Sequence, residues 1–285
     1  MKCGRSNGRQ RPSFVASATV ARHALVVLAG VAGMAGGCRR KHIPVASVPE
    51  LPYPTCEGRA LPEGVVVASG HLRAGPSAIE QTVVERYELR DRGCVFVLTA
   101  RQEWPLNVSD IEIVYDRNFL PLRAWKRMTL PGVARADGQA DIRRYELRTP
   151  QVTITRRVAS GPRTHEILRG AAPTVVIGPG RGVLTAWLRR ARLSVGAAVR
   201  EYALDMREMV EVIRPVTLRR EADQYVSALG RVVRVYTVYG RECIYADDTD
   251  AVVADLAGML PATLVRTPPP APMPLYGLPD PVNTP

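Results

Sequence analysis

Between residues 60 and 260, apolar and polar side chains alternate in short runs separated by turn residues, the pattern of half-buried strands. Residues 65–72 are β-branched and short. In residues 79–90, Val83, Tyr87 and Leu89 share one face; Asp91-Arg92-Gly93 makes a turn, and Cys94, Phe96, Leu98 and Ala100 return, which predicts a hairpin. Ile111, Ile113 and Tyr115 repeat the pattern before Asp116-Arg117-Asn118, and Leu120, Leu122 and Ala124 follow. Asp137-Gly138 precedes a strand over 142–148, and Val152, Ile154 and Arg156 run on after Pro150. The pentapeptide Arg-Tyr-Glu-Leu-Arg occurs at 86–90 and again at 144–148, each time in a strand ahead of a turn. No longer repeat accompanies it, so it marks similar strand chemistry rather than a duplication.

One segment breaks the alternation. After the Gly-Pro-Gly-Arg-Gly of 178–182, Leu184, Trp187, Leu188 and Ala191 fall at i, i+3, i+4 and i+7, which predicts a short amphipathic helix near 183–192 with its apolar side on the sheet. Strand signals resume at 199–206, 209–213 and 231–239, and Asp247-Asp248-Thr249-Asp250 turns the chain into 251–256. The expected fold class is mainly β or α+β: a curved antiparallel β-meander, half-barrel-like, with one short helix.

The first residues have a different character. Lys2, Arg5, Arg9, Arg11 and Arg22 precede an apolar run over 24–34 without an acidic residue, and Ala35, Gly36 and Gly37 lead to Cys38. The run falls short of the about 20 apolar residues of a spanning helix, and Arg39, Arg40 and Lys41 close its far side. This is the layout of an export signal. With a cysteine after the cut it resembles a bacterial lipoprotein signal, although Ala35 stands where leucine is commonest in such a lipobox. The resemblance implies that residues 1–37 are removed and that Cys38 is acylated. The chain would then be anchored by lipid in the bacterial cell envelope, at the outer membrane facing the periplasm. Ala35-Gly36-Gly37 also satisfies ordinary small-x-small cleavage, which would leave Cys38 as a thiol on a soluble secreted protein. Pro44, Pro49, Pro52 and Pro54 make 38–55 a stiff membrane-proximal spacer. A single β-rich domain is expected over 56–266. Eight prolines from Pro268 to Pro285 mark 267–285 as an extended, disordered tail or a polyproline ligand.

Across roughly residues 60–260 the element order, a β-meander with the helical segment Leu184 to Ala191 in mid-chain, resembles the half-barrels of the lipoprotein-localisation (Lol) factors and related envelope proteins. No diagnostic motif accompanies it, so no family site residue is carried over. The resemblance implies a helix lying in a concave sheet with apolar ligands or acyl chains between them. Fold alone does not fix function.

Charge changes the choice of partner. The net charge of +12 falls to +7 once the five basic residues of the signal are removed, leaving 34 basic against 27 acidic residues. Lys2, Lys41 and Lys126 are the only lysines among 39 basic residues, an excess of arginine that a GC-rich genome explains. Arginine forks also select carboxylate or phosphate partners. Arg200, Arg214, Arg219, Arg220, Arg231, Arg234 and Arg241 crowd the second half, but Glu208, Glu211 and Glu221 interrupt them, as on a solvated face of mixed charge. A nucleic-acid surface would need a basic patch with stacking aromatics. Export points instead to a lipid, an anionic envelope polymer or an envelope protein.

Catalytic patterns are sparse. His23 belongs to the signal and His42 to the spacer, which leaves His71 and His165 as candidate bases or ligands. His165-Glu166 lacks the second histidine of a zinc helix, and there is no Gly-x-Ser-x-Gly elbow. Residues 178–182 offer backbone N–H groups to an anion, yet no Lys-Ser/Thr follows, and a tight entry turn is the better reading. The acidic turn at 247–250 lacks calcium-loop spacing. No catalytic residue, metal or cofactor is assigned. With Cys3 removed and Cys38 acylated, Cys56, Cys94 and Cys243 remain for one disulfide and one thiol. Cys56 with Cys94 is the first choice, tying the entry segment to the first hairpin, and Cys243 suits either partner. The function expected is that of a non-enzymatic envelope lipoprotein whose curved sheet binds a lipidic or other envelope ligand. The alternatives are a structural or protein-interaction module with a filled core, and an envelope hydrolase.

Overall fold

A computed structural model describes residues 41–43, 56, 61–75, 83–105, 107–129, 141–147, 151–157, 164–169, 171–207 and 211–265. The signal, Cys38 and the tail 267–285 lie outside the described residues. Strand β1 (Lys41–Ile43) is followed by an antiparallel meander in which each strand pairs with the next: β2 (Val65–Ala74), β3 (Val84–Asp91), β4 (Phe96–Glu103), β5 (Val108–Tyr115), β6 (Pro121–Thr129), β7 (Asp141–Glu146), β8 (Gln151–Arg157) and β9 (Thr164–Arg169). Turn chemistry joins these strands. The Asp91 carboxylate accepts the Gly93 N–H at 2.9 Å, and Asp116 accepts those of Asn118 and Leu120, each at 2.8 Å.

A second sheet follows, in the order β10 (Val175–Ile177), β11 (Ala198–Asp205), β12 (Val212–Arg220), β14 (Arg231–Val238), β15 (Glu242–Ala246) and β16 (Val252–Asp255), with β13 (Gln224–Val226) paired to β14. Strand β17 (Met259–Pro261) then crosses back to pair with β2, while β1 closes the far edge of the first sheet on β9. Among the described residues the first sheet therefore has ten strands. The β10–β11 pair is parallel and needs a crossover. A 3-10 turn (Gly182–Leu184) and helix α1 (Thr185–Ala191) lie in that connection, where the sequence predicts a helix. Leu184, Trp187 and Leu188, three members of the predicted stripe, are buried.

The alternation dictates which face of each strand is covered. Along β3, Glu85, Tyr87 and Leu89 point inward and Arg86, Glu88 and Arg90 outward. The two copies of the pentapeptide do the same: Tyr87, Leu89, Tyr145 and Leu147 are all buried. Their hydroxyls reach opposite parts of the second sheet. Tyr87 Oη donates to the Val252 carbonyl at 2.6 Å, and Tyr145 Oη donates to Glu211, just before β12, at 2.9 Å. One hydrophobic cluster runs through the inner faces of both sheets and α1.

Two features depart from the sequence reading. Lys41–Ile43, within the stretch 38–55 assigned to a spacer, is an edge strand; three residues are too few to show a period. Strand β12 continues through Pro215 to Arg220, beyond the 209–213 expected. Pro215 pairs with Tyr202 of β11, while β14 pairs only with Leu218, Arg219 and Arg220. The proline thus lies where the second side of β12 has no ladder, a position that tolerates a missing N–H.

Candidate functional site

The concave side of the ten-stranded sheet is where the Lol-like reading places an apolar ligand. Side chains fill it. Leu98, Ile113 and Tyr145 of the first sheet, Leu184, Trp187 and Leu188 of the helical segment, and Leu204, Leu218 and Tyr236 of the second sheet belong to one buried cluster. Close packing extends to the glycines. A Cβ on Gly182 would overlap the Tyr87 ring, so only glycine lets the 3-10 turn lie against β3.

Residues 178–182 form an entry turn, and the anion that their backbone N–H groups hold is internal. Glu85 is fully buried, and its carboxylate accepts the N–H groups of Gly182 at 2.6 Å and Arg181 at 2.8 Å. Burial pushes this carboxyl above its usual pKa, against the lowering by the two backbone donors. The glycine-rich turn is thus a cradle already occupied by the protein's own side chain.

Arginines are likewise committed to internal carboxylates. Asp205, with no exposed surface, accepts Arg207 at 2.9 Å, Tyr239 Oη at 3.1 Å and also Arg214. Arg207 continues to Glu242 at 2.9 Å, and Arg181 bridges Glu242 at 3.4 Å and Asp255 at 2.7 Å. A second buried group joins Arg143 to Glu211 and to Asp141, the latter at 2.7 Å, while Lys126 Nζ donates to the Met206 carbonyl at 2.5 Å. Burial, helped by neighbouring Arg143, pulls the Lys126 pKa down. In the arginine-rich second half, Arg219 pairs with Glu221, Arg220 with Asp223 and Arg234 with Asp250.

The other residues singled out by sequence fall in separate places. Cys56 and Cys94 form a disulfide with a Cα–Cα distance of 5.7 Å. It lies beside a small outer-face cluster in which Leu61 packs on Val95, Val97 and Val114. The thiol expected to be left over is not free in the full-length chain, where Cys243 is disulfide-bonded as well. In the acidic turn, Asp247 accepts the N–H groups of Thr249 and Ala251, both at 2.9 Å, and Asp250 accepts Tyr236 Oη at 2.7 Å. Among the described residues, no group of three His, Cys, Asp or Glu side chains is placed to hold a metal ion. His165 lies in β9 opposite Thr155; its side chain is outside the described residues. His71 projects from the outer face of β2, where its Nε2 accepts Arg86 Nε at 3.4 Å. Partial burial, then Arg86 and Arg73, lower its pKa.

Beside His71 is the groove that sequence reasoning missed. It crosses the outer face of β3, β4, β5 and β6 with a volume of about 430 Å³. Cross-strand register builds it from two rows: Glu88, Thr99, Glu112 and Trp125 in one, Arg86, Arg101 and Asp110 in the other. Arg101 donates to Glu103 at 2.7 Å and Asp110 at 3.0 Å, and Arg90 binds Glu88 at 2.8 Å. Arg86 faces Arg101 directly across the ladder and pairs with no carboxylate among the described residues. Glu103 and Asp110 already neutralise Arg101, which leaves Arg86 as the groove arginine without a carboxylate among the described residues. The signal was present in the sequence as the polar half of each strand's alternation, but it takes the register to align the rows.

No family model matches the sequence, and no curated protein matches it. Similar solved structures include a DUF1089 family protein from Pseudomonas aeruginosa, with a TM-score of 0.38 and 11% identity over 74% of this chain and 99% of that one. Another is a beta-barrel-like protein of the domain of unknown function DUF1849 from Brucella abortus, with a TM-score of 0.38 and 13% identity over 64% of this chain and 78% of that one. Likeness at this level carries no residue or activity across. Among the described residues, no helix is long and apolar enough to cross a membrane.

Proposed function

We propose that this chain is an exported, lipid-anchored protein of the bacterial cell envelope, held at the outer membrane facing the periplasm. Its folded part is a non-catalytic binding module with a filled core that works through the outer face of its ten-stranded sheet. The observation that carries the reading is the filled interior: α1 and the second sheet occupy the space in which a half-barrel would hold an acyl chain. The Cys56–Cys94 disulfide suits an oxidising compartment, and the basic, apolar and small-residue order ahead of Cys38 supplies the export and anchoring part. Stable anchoring needs more than one acyl chain, as the acylated cysteine of such lipoproteins provides.

Two measurements on protein purified from a bacterial envelope test this. The intact mass should show loss of 1–37 and acylation of Cys38, and Cys38→Ser should release the protein from the membrane fraction. An unacylated Cys38, whether free or disulfide-bonded to Cys243, would refute the anchor. Organic extraction of the folded protein should yield no stoichiometric lipid beyond the covalent chains. A co-purifying lipid at one per protein would restore the half-barrel ligand and overturn the module.

A further inference from the structure

We infer that the outer-face groove is a binding site for an acidic oligosaccharide. The inference deepens the reading above and relies on it for the choice of face. Three observations define the ligand. The first is charge: Arg86 is a groove cation without a carboxylate partner among the described residues, whereas Arg101 opposite it is already held by Glu103 and Asp110, so an anion at that end meets a guanidinium fork that no carboxylate holds. The second is an aromatic platform at the other end. Trp125 is half-buried in the groove wall, and its indole N–H has no protein acceptor among the described residues, whereas those of Trp104 and Trp187 are donated to Gln102 and Glu201. The third is a row of acceptors between them. Glu88 and Asp110 each take one arginine and retain lone pairs for hydroxyl donors.

The spacing excludes a small ligand. Arg86 lies on β3 and Trp125 on β6, three strand spacings apart and one row displaced, or about 16 Å between Cα atoms. An occupant that touches both is an extended molecule lying across the strands. A peptide is poorly served there, because the sheet face presents only side chains and its backbone groups are already used in the ladders. An acyl chain is worse served, since the walls carry charge. A chain of sugar rings fits: one ring face on Trp125, hydroxyls on the carboxylates, and a uronate carboxylate on the Arg86 fork.

Calorimetric titration of the purified protein at low salt tests the assignment. The acidic probe is a hexasaccharide of alternating glucuronic acid and N-acetylglucosamine, the neutral probe is the N-acetylglucosamine hexamer, and the peptide control is hexaglutamate. The acidic sugar should bind at least tenfold more tightly than either control and weaken with added salt. Arg86→Gln and Trp125→Ala should each reduce its affinity about tenfold, with melting temperatures reported for both; Tyr225→Ala, on an exposed site of β13, should leave it unchanged. No binding of the acidic sugar at millimolar concentration overturns the proposal, as does equal binding of either control. Affinity unchanged in Arg86→Gln, which removes an outward-facing charge and its hydrogen bond to His71, also overturns it. None of these outcomes bears on lipid content or Cys38, so the module and its ligand fail separately.

Discussion

Replacing both Cys56 and Cys94 by alanine tests how the N-terminal part of the domain is held. The disulfide spans 38 residues and encloses β2, β3 and the intervening turn, so its loss frees that loop in the unfolded chain. The loop-entropy relation gives about 4 kcal/mol at 25 °C for a loop of this length. For a domain of this size, 1 kcal/mol corresponds to about 2–4 °C, so the double variant should melt about 8–16 °C below the wild type. Packing in the folded state adds little to this, because Leu61 is the only described entry-segment residue on the Val95, Val97 and Val114 cluster. The measurement is thermal unfolding by circular dichroism without reductant. A melting temperature within about 2 °C of wild type would refute the reasoning, showing that the bond either is not formed or closes a loop already restricted when unfolded.

Two further predictions concern the interior. Gly182→Ala places a methyl group on the Tyr87 ring and should cost about 1–3 kcal/mol through overpacking, read from denaturant unfolding; a neutral result would mean that the ring is not clamped against the 3-10 turn. For Asp205, burial acts to raise the carboxyl, but hydrogen bonds from Arg207 and Arg214 outweigh it and hold the pKa below the usual carboxylate range. The unfolded chain therefore binds this proton more readily, and the stability Asp205 contributes is complete above the ordinary carboxylate pKa and lost as pH falls through it toward the folded value. Asp205→Asn should lose about 3–5 kcal/mol near neutral pH by stranding buried charge, and its melting temperature should fall less steeply than that of wild type below about pH 5. Parallel acid profiles for the two proteins would contradict that sign.

Alternation made the meander legible from 84 to 124, because each strand has one wet and one dry face and the turns carry Asp and Gly. The helix was legible from Leu184, Trp187 and Leu188 for the same reason, at a different period. What sequence did not disclose was the second sheet as a separate layer. Strand β10 (Val-Val-Ile) is buried throughout, and β15 (Glu-Cys-Ile-Tyr-Ala) is nearly so; neither alternates, so neither announces a face. The consequence for function was direct, since this second layer fills the cavity that a single curved sheet would leave. Glu85 was equally hidden: a glutamate in an alternating strand reads as outward until the register turns it toward the Gly182 N–H. The groove was hidden differently, because Arg86 and Trp125 are separated in sequence and come to share one face only through three ladders.

Strand β1 belongs to the beginning of the chain and to the end of the sheet. The meander grows from β2 to β9 by local hairpins, yet its last edge stays open until Lys41, His42 and Ile43 return to pair with Ile167, Glu166 and His165. An open edge recruits other chains, and here the guard against that is a strand from the opposite end of the described domain. If Cys38 is acylated as proposed above, this closure also acquires a place. Three residues reach at most about 11 Å, so the sheet can be sealed only at the membrane surface, with β9 brought down to the anchor rather than the strand carried up to it. Release of the tether would then do more than free the protein. A detached β1 would return to the solvent an edge on which two copies could pair, making aggregation after loss of the N-terminal segment a built-in hazard of this topology.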